Sequence, residues 1–220
     1  MRTERHTAHD YIPALGLRAL TPLYDPVLRW LLREEQFKQR LIAGARIAPS
    51  DRVLDLGCGT GTLTVMIATA HPNATVTGLD VDAQVLAIAR AKATRVGARF
   101  TLVEGMADEL PFASDTFDRV LSSLVIHHLT TGQKRRALQE VQRVLRPGGE
   151  VHIVDFGPPH TRGAALVATA IRHLEHADDN IAGAIPEMLR AAGFADVVVR
   201  ESFMTLVGPL ARYQGRKRSR

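Results

Sequence analysis

With 220 residues, 45% of them hydrophobic, the chain suits one α/β domain with a full core, which excludes a wholly disordered polypeptide. No apolar run approaches the roughly 18 residues of a membrane-spanning helix, and MRTERHTAHDYIP lacks the apolar core of a secretory leader, so neither membrane insertion nor export is expected. The net charge of +5 is matched by five bases in the last nine residues, Arg212, Arg216, Lys217, Arg218 and Arg220; without them the body is neutral, so no basic nucleic-acid groove is implied.

Residues 1–50 read as a helical cap. Asp25-Pro26 offers an N-cap followed by proline at the first helical position, and Val27, Leu28, Leu31 and Leu32 continue an apolar face. From residue 52 strands and helices alternate. Strands are expected at 52–56, 75–80, 99–103, 119–123 and 150–155, with helices at 62–70, 82–96, 131–145 and 162–176. Asp82 is the cap candidate for the second of these helices. Thr130 with Gln133 forms a capping box for the third, and Pro147-Gly148-Gly149 is expected to stop it. Such alternation demands parallel strands joined by right-handed crossovers.

The end of the chain differs. A short helix at 186–192 closes at Gly193, and strands follow at 195–201 and 204–213, with Gly208-Pro209 interrupting the second. Strands this close leave no room for a crossover helix, so they are expected to be antiparallel neighbours. The basic residues from 215 onward read as a frayed, solvated tail.

Residues 53–64, VLDLGCGTGTLT, run from a strand through three alternating glycines into a helix. This junction lets backbone approach a ligand and turns free helix N–H groups into a cleft. Gly57, Gly59 and Gly61 are spaced G-x-G-x-G, one residue short of the dinucleotide pattern, because Thr62 stands where that pattern needs its last glycine. Asp80 ends the second strand nineteen residues after Gly61, where a carboxylate can accept both hydroxyls of a ribose. A nicotinamide dehydrogenase would want the longer glycine spacing and a further pocket beyond the fourth strand, and the sequence offers neither. Cys58, the single cysteine, reads as a small packing residue in the turn and fits a reducing, cytoplasmic setting.

VLDLGCGTGTLT, VTGLDVD, EGMADELPF, FDRVLSSLVIHHL and EVQRVLRPGGEVHIVDF follow one another in order. With these, the chain resembles the class I S-adenosylmethionine-dependent methyltransferases, and is most similar to the branch holding the ubiquinone- and menaquinone-biosynthesis C-methyltransferases. The resemblance runs from about residue 25 to 216. It implies a Rossmann-like α/β fold: a seven-stranded, mostly parallel sheet, helices on both faces and an antiparallel last strand. It implies S-adenosyl-L-methionine as cofactor, with Asp55, Gly57, Cys58, Gly59 and Gly61 around its amino-acid end. Asp80 would take the ribose, Val81, Met106 and Ala107 would border the adenine, and Ser123 would close the floor. The family often has an acid where Met106 stands; here that contact falls to Asp108, to backbone or to water.

Methyl transfer is an in-line displacement from an activated donor, so the protein mainly aligns the partners and excludes water, and a base is needed only when the acceptor must lose a proton. His127 and His128, after the fourth strand, are the catalytic candidates, as a base or as an orienter of the acceptor; satisfying loop backbone is the competing role. Asp155, ending the fifth strand, could orient an acceptor or form a turn, and His160 is a weaker candidate. His173 and His176 lack metal-site spacing, and no metal is expected. Tyr11, Leu23, Tyr24, Trp30, Leu166 and Ile171 are candidate acceptor-lining residues from the cap and from a helical lid at 157–194. The expected acceptor is a small, apolar or aromatic molecule, and the chain a monomer or homodimer. A nucleic-acid or protein methyltransferase, or a non-catalytic cofactor-binding protein, is the alternative.

Overall fold

Short apolar runs, bounded by turn residues and buried on both faces, form the central strands. The structure is a computed structural model that describes residues 34–159, 177–205 and 208–219. Its strands are β1 (Arg52–Leu56), β2 (Thr75–Asp80), β3 (Thr101–Glu104), β4 (Phe117–Ser123), β5 (Leu145–Phe156), β6 (Phe194–Thr205) and β7 (Gly208–Lys217). They make one seven-stranded sheet in the order β3-β2-β1-β4-β5-β7-β6. β1 pairs in parallel with β2 and β4, β2 with β3, and β4 with β5. β7 alone is reversed, running antiparallel to both β5 and β6. The fold is the expected Rossmann-like α/β sheet.

Helices α1 (Glu34–Ala45), α2 (Thr62–Ala70), α3 (Ala83–Val96), α4 (Thr131–Val144), α5 (Asp178–Ile181) and α6 (Ile185–Ala191) accompany the sheet. Phe37 and Leu41 of α1 and Leu63 and Ile67 of α2 pack with Val53, Val76, Leu121 and Val154 on one face. Leu138 and Val141 of α4 and Ile185 and Leu189 of α6 pack with Leu54, Val120, Ile153 and Tyr213 on the other. Asp82 caps α3 by accepting from the Gln84 amide at 2.7 Å, and Thr130 and Gln133 form the expected capping box on α4. Among the described residues no helix is long and apolar enough to cross a membrane.

Three expectations are corrected. α4 ends at Val144, before Pro147-Gly148-Gly149, because Leu145 already pairs with Phe117 of β4. The next pair is Glu150 with Arg119, so the Pro-Gly-Gly segment bulges out inside a longer β5 instead of stopping a helix. Gly208-Pro209 opens β7 and does not interrupt it; proline is tolerated at the first residues of a strand, where the ladder does not need its N–H. The basic end is not a free tail. Arg216 and Lys217 lie in β7; Arg216 grips the buried Glu150 at 2.6 Å, and the Lys217 ammonium donates to Asp115 and to the Leu145 carbonyl, each at 2.7 Å.

His152 and Arg216 hold the Glu150 carboxyl at about 2, against an ordinary 4.5, overcoming its burial. A depressed acid stabilises the fold above its ordinary value and loses that contribution as pH falls towards 2. Removing residues 216–220 is therefore expected to lower the thermal midpoint and to move acid unfolding to higher pH, as circular dichroism melts across pH 2–5 would record. A solvated tail would leave both unchanged.

Candidate functional site

The parallel registers bring the C-terminal ends of β1, β2, β3 and β4 to one edge: Leu56 pairs with Leu79 and with Ser122, and Asp80 with Glu104. Chain order reverses between β1 and β4, and in open α/β sheets the crevice beyond such a switch point receives ligands. The glycine turn lies in that crevice. Gly57, Gly59 and Gly61 all have positive φ. A Cβ on Gly61 would meet the Ala89 methyl of α3 at 2.7 Å, so that glycine is needed for helix packing. Among the described residues a Cβ on Gly59 would meet nothing within 4 Å, so at this position the backbone faces open space.

Asp80 stands beside it. One carboxylate oxygen accepts from the Gly59 amide at 2.8 Å and the other from the Asp82 amide at 3.1 Å, and each retains lone pairs for further donors. Burial raises the Asp80 carboxyl above its ordinary value, against those backbone bonds. Lys92 of α3 pins the turn from behind, donating to the Thr60 and Thr62 hydroxyls at 3.1 and 2.9 Å. Asp55, 1% exposed, accepts from the Thr64 hydroxyl at 2.6 Å. Burial raises its carboxyl to about 6, against the Thr64 bond and the positive charge of Lys38. The Cys58 thiol is pushed up by burial and by Asp55 and Asp80, which keeps it a packing group and not a nucleophile.

Beyond β3, Met106 is 43% exposed and Ala107 packs against the core. Asp108 is not directed solely at the crevice, because Arg136 of α4 grips one of its oxygens through two nitrogens, at 2.7 and 3.2 Å. At the end of β4 the Ser123 hydroxyl oxygen is buried without a hydrogen-bond partner among the described residues. Such an atom suits a ligand donor or acceptor.

The second cluster lies at the end of β5. Asp155 is fully buried. One oxygen accepts from the backbone amides of Val125, Ile126 and His127, at 3.1, 2.8 and 3.4 Å. The other takes the His127 Nδ1 at 2.8 Å, the Phe156 amide at 2.7 Å and the Asn180 side-chain amide at 3.0 Å. Burial would raise this carboxyl, but the charge and hydrogen bond of His127 and the Phe156 amide bring it below the ordinary range. Asp155 thus has both oxygens engaged by donors within the protein. It fixes the single turn Ile126–His128 and the His127 ring, which lies 4.0 Å from His128 and 4.8 Å from Phe156, centroid to centroid.

Residues 53–149 match a family model described as a methyltransferase domain. The chain is 35% identical over 150 residues to a demethylmenaquinone methyltransferase of Thermus thermophilus, covering 67% of each chain. The chain belongs to the S-adenosylmethionine-dependent methyltransferase family. It is also 38% identical over 126 residues, 57% of each chain, to an uncharacterised methyltransferase of Synechocystis. The sheet superposes with TM-score 0.69 on phosphoethanolamine N-methyltransferase 2 of Haemonchus contortus, solved in complex with S-adenosyl-L-methionine, at 20% identity, covering 84% of this chain and 53% of that one. The chain spans about half to two thirds of the length of the curated relatives it matches.

Within this methyltransferase fold the structure gathers Asp55, Gly57, Cys58, Gly59, Gly61, Asp80, Val81, Met106, Ala107 and Ser123 along one sheet edge, and brings His127 and Asp155 together beside them. Tyr11, Leu23, Tyr24, Trp30, His160, Leu166, Ile171, His173 and His176 lie outside the described residues, as do Asp25 and Pro26. Sequence reasoning passed over Thr64, Lys92 and Asn180. Thr64 had a signal, closing the VLDLGCGTGTLT run; Asn180 had none.

Proposed function

We propose that this chain transfers a methyl group from S-adenosyl-L-methionine to a small, apolar or aromatic acceptor, in the cytoplasm. The observation that carries the reading is the Gly59 backbone facing open space with the Asp80 carboxylate 2.8 Å from its amide. Bound there, the cofactor supplies an electrophilic methyl carbon on a sulfonium. Asp80 offers its remaining lone pairs to the ribose hydroxyls; Asp55 and the turn at Gly57, Cys58, Gly59 and Gly61 hold the amino-acid end. Val81, Met106 and Ala107 border the adenine, and the unpartnered Ser123 hydroxyl lies at the floor. His127 is oriented by Asp155. A carboxylate only accepts, so Nδ1 carries the ring proton and Nε2 is the acceptor nitrogen of the ring, with the chemistry to hold or take an acceptor proton. The burial of Cys58 fits a reducing compartment.

Calorimetry with S-adenosylhomocysteine is expected to show one site per chain, weakened about tenfold or more by Asp80→Ala through loss of charge-assisted bonds. With the acceptor found by a labelled-methyl metabolite screen, His127→Ala is expected to lower turnover about 100-fold or more, the usual scale of a lost general base. No binding heat from either protein would sink the cofactor reading; full turnover by His127→Ala would sink the base.

A further inference from the structure

Asn180 belongs to the four-residue helix α5 and is fully buried. Its amide nitrogen donates to Asp155 at 3.0 Å, on the oxygen that also receives His127 Nδ1. This orientation is chemically fixed, because an amide oxygen turned to the carboxylate would be repelled. The Asn180 amide oxygen, meanwhile, is buried with no hydrogen-bond partner among the described residues. A buried acceptor without a donor destabilises a fold, and leucine, with the same branching and number of heavy atoms, would avoid that loss. Packing alone therefore does not account for asparagine here. What asparagine supplies, and leucine does not, is a donor on the shared oxygen of Asp155.

We propose that Asn180 is a positioning residue which, by donating to Asp155, sets how strongly that carboxylate holds the His127 ring. The proposal rests on the reading of His127 as the base. The positive end of the amide dipole and the His127 N–H compete for one oxygen, so Asn180 weakens the hold of Asp155 on an imidazolium and favours the neutral ring. The neighbouring groups fit this division of labour. His128 lies on the same turn as His127, and Tyr213 of β7 gives its hydroxyl to the Phe156 carbonyl at 3.2 Å. Burial, with the charge of Asp155, pushes that phenol up, so it stays neutral across the working range. On the far side α5 is held independently: Asp179 accepts from the buried Lys134 ammonium at 3.2 Å and from the Thr131 hydroxyl at 2.7 Å, both on α4.

The test is a side-chain NMR titration of His127 in the full-length protein, its signal identified by loss in His127→Gln. Asn180→Leu keeps the branching and heavy-atom count in a somewhat larger side chain and Asn180→Ala leaves a void, but both remove the donor. Each is expected to raise the His127 midpoint by about one pH unit, the scale of one hydrogen bond to a charged group. Thr131→Val, which loosens α5 without touching Asn180, is expected to leave the midpoint where it is. An unmoved midpoint in Asn180→Leu, or an equal shift in Thr131→Val, overturns the proposal; if only one Asn180 variant folds, that one decides. The titration needs neither donor nor acceptor, so it and the turnover test on His127 fail separately.

Discussion

Replacing Asp155 with alanine is expected to remove about 4 kcal/mol of stability, a large part of what a domain of this size possesses. The side chain is fully buried and serves four backbone amides, those of Val125, Ile126, His127 and Phe156, as well as the His127 ring and Asn180. Alanine leaves these donors without an acceptor in a space water does not reach, and each orphaned donor is costly. Asp155→Asn, which keeps one acceptor oxygen, is expected to lose less. The pH dependence has a definite sign. With its folded-state carboxyl below the ordinary 3.8, Asp155 contributes fully above that value and loses its contribution only as pH falls further. Urea denaturation at pH 7 checks the magnitude, and a loss under about 1 kcal/mol would contradict the hub described for this residue.

Asp55→Asn is expected to do the opposite, stabilising the protein while impairing ligand binding. Burial holds the Asp55 carboxyl at about 6 against an ordinary 3.8, so between those values the folded chain binds a proton that the unfolded chain has released. Stability therefore falls as pH rises through this window, and at neutrality the ionised, 1% exposed Asp55 costs up to about 3 kcal/mol. Asparagine carries no charge to desolvate. Its gain in melting temperature is expected at pH 7.5 and not below pH 4, where the native residue is itself neutral. Calorimetric melts of both proteins at the two pH values decide it, since an equal gain at both would mean that charge burial is not the cause. On our reading the ammonium end of the cofactor turns that cost into affinity, so Asp55→Asn should also weaken S-adenosylhomocysteine binding at pH 7.5.

The two carboxylates mark where sequence is informative and where it is not. Around Asp55 every cue is local. The apolar strand, the alternating glycines and the apolar helix fall within nineteen residues, 52–70, and β1, β2 and α2 have the expected bounds. The caps at Asp82 and Thr130 were legible for the same reason, since capping spans three residues. Around Asp155 the determining partners are distant in the chain: His127 lies 28 residues before it and Asn180 25 after it. The histidines and Asp155 could each be named as candidates, but not the pairing by which Asp155 orients the His127 ring. The end of the chain fails for this reason too. Arg216 and Lys217 look solvated in sequence because Glu150 and Asp115, which bind them, stand 66 and 102 residues earlier. β5 and β6 outgrew their expected lengths because ladder pairing, not local propensity, decides where strands stop.

The reversed β7 also dictates an order of assembly. β6 is joined to the sheet only through β7, whereas β7 pairs directly with β5, so β6 cannot take its place before β7. Five strands from β3 to β5 can pair without them, but β5 would then present a bare ladder edge from Glu150 to Phe156, the kind of edge that recruits foreign strands. β7 therefore has to pair with β5 before β6 or together with it. A nascent chain that has not yet exposed residue 208 carries a nearly complete cofactor crevice on a scaffold still prone to aggregate.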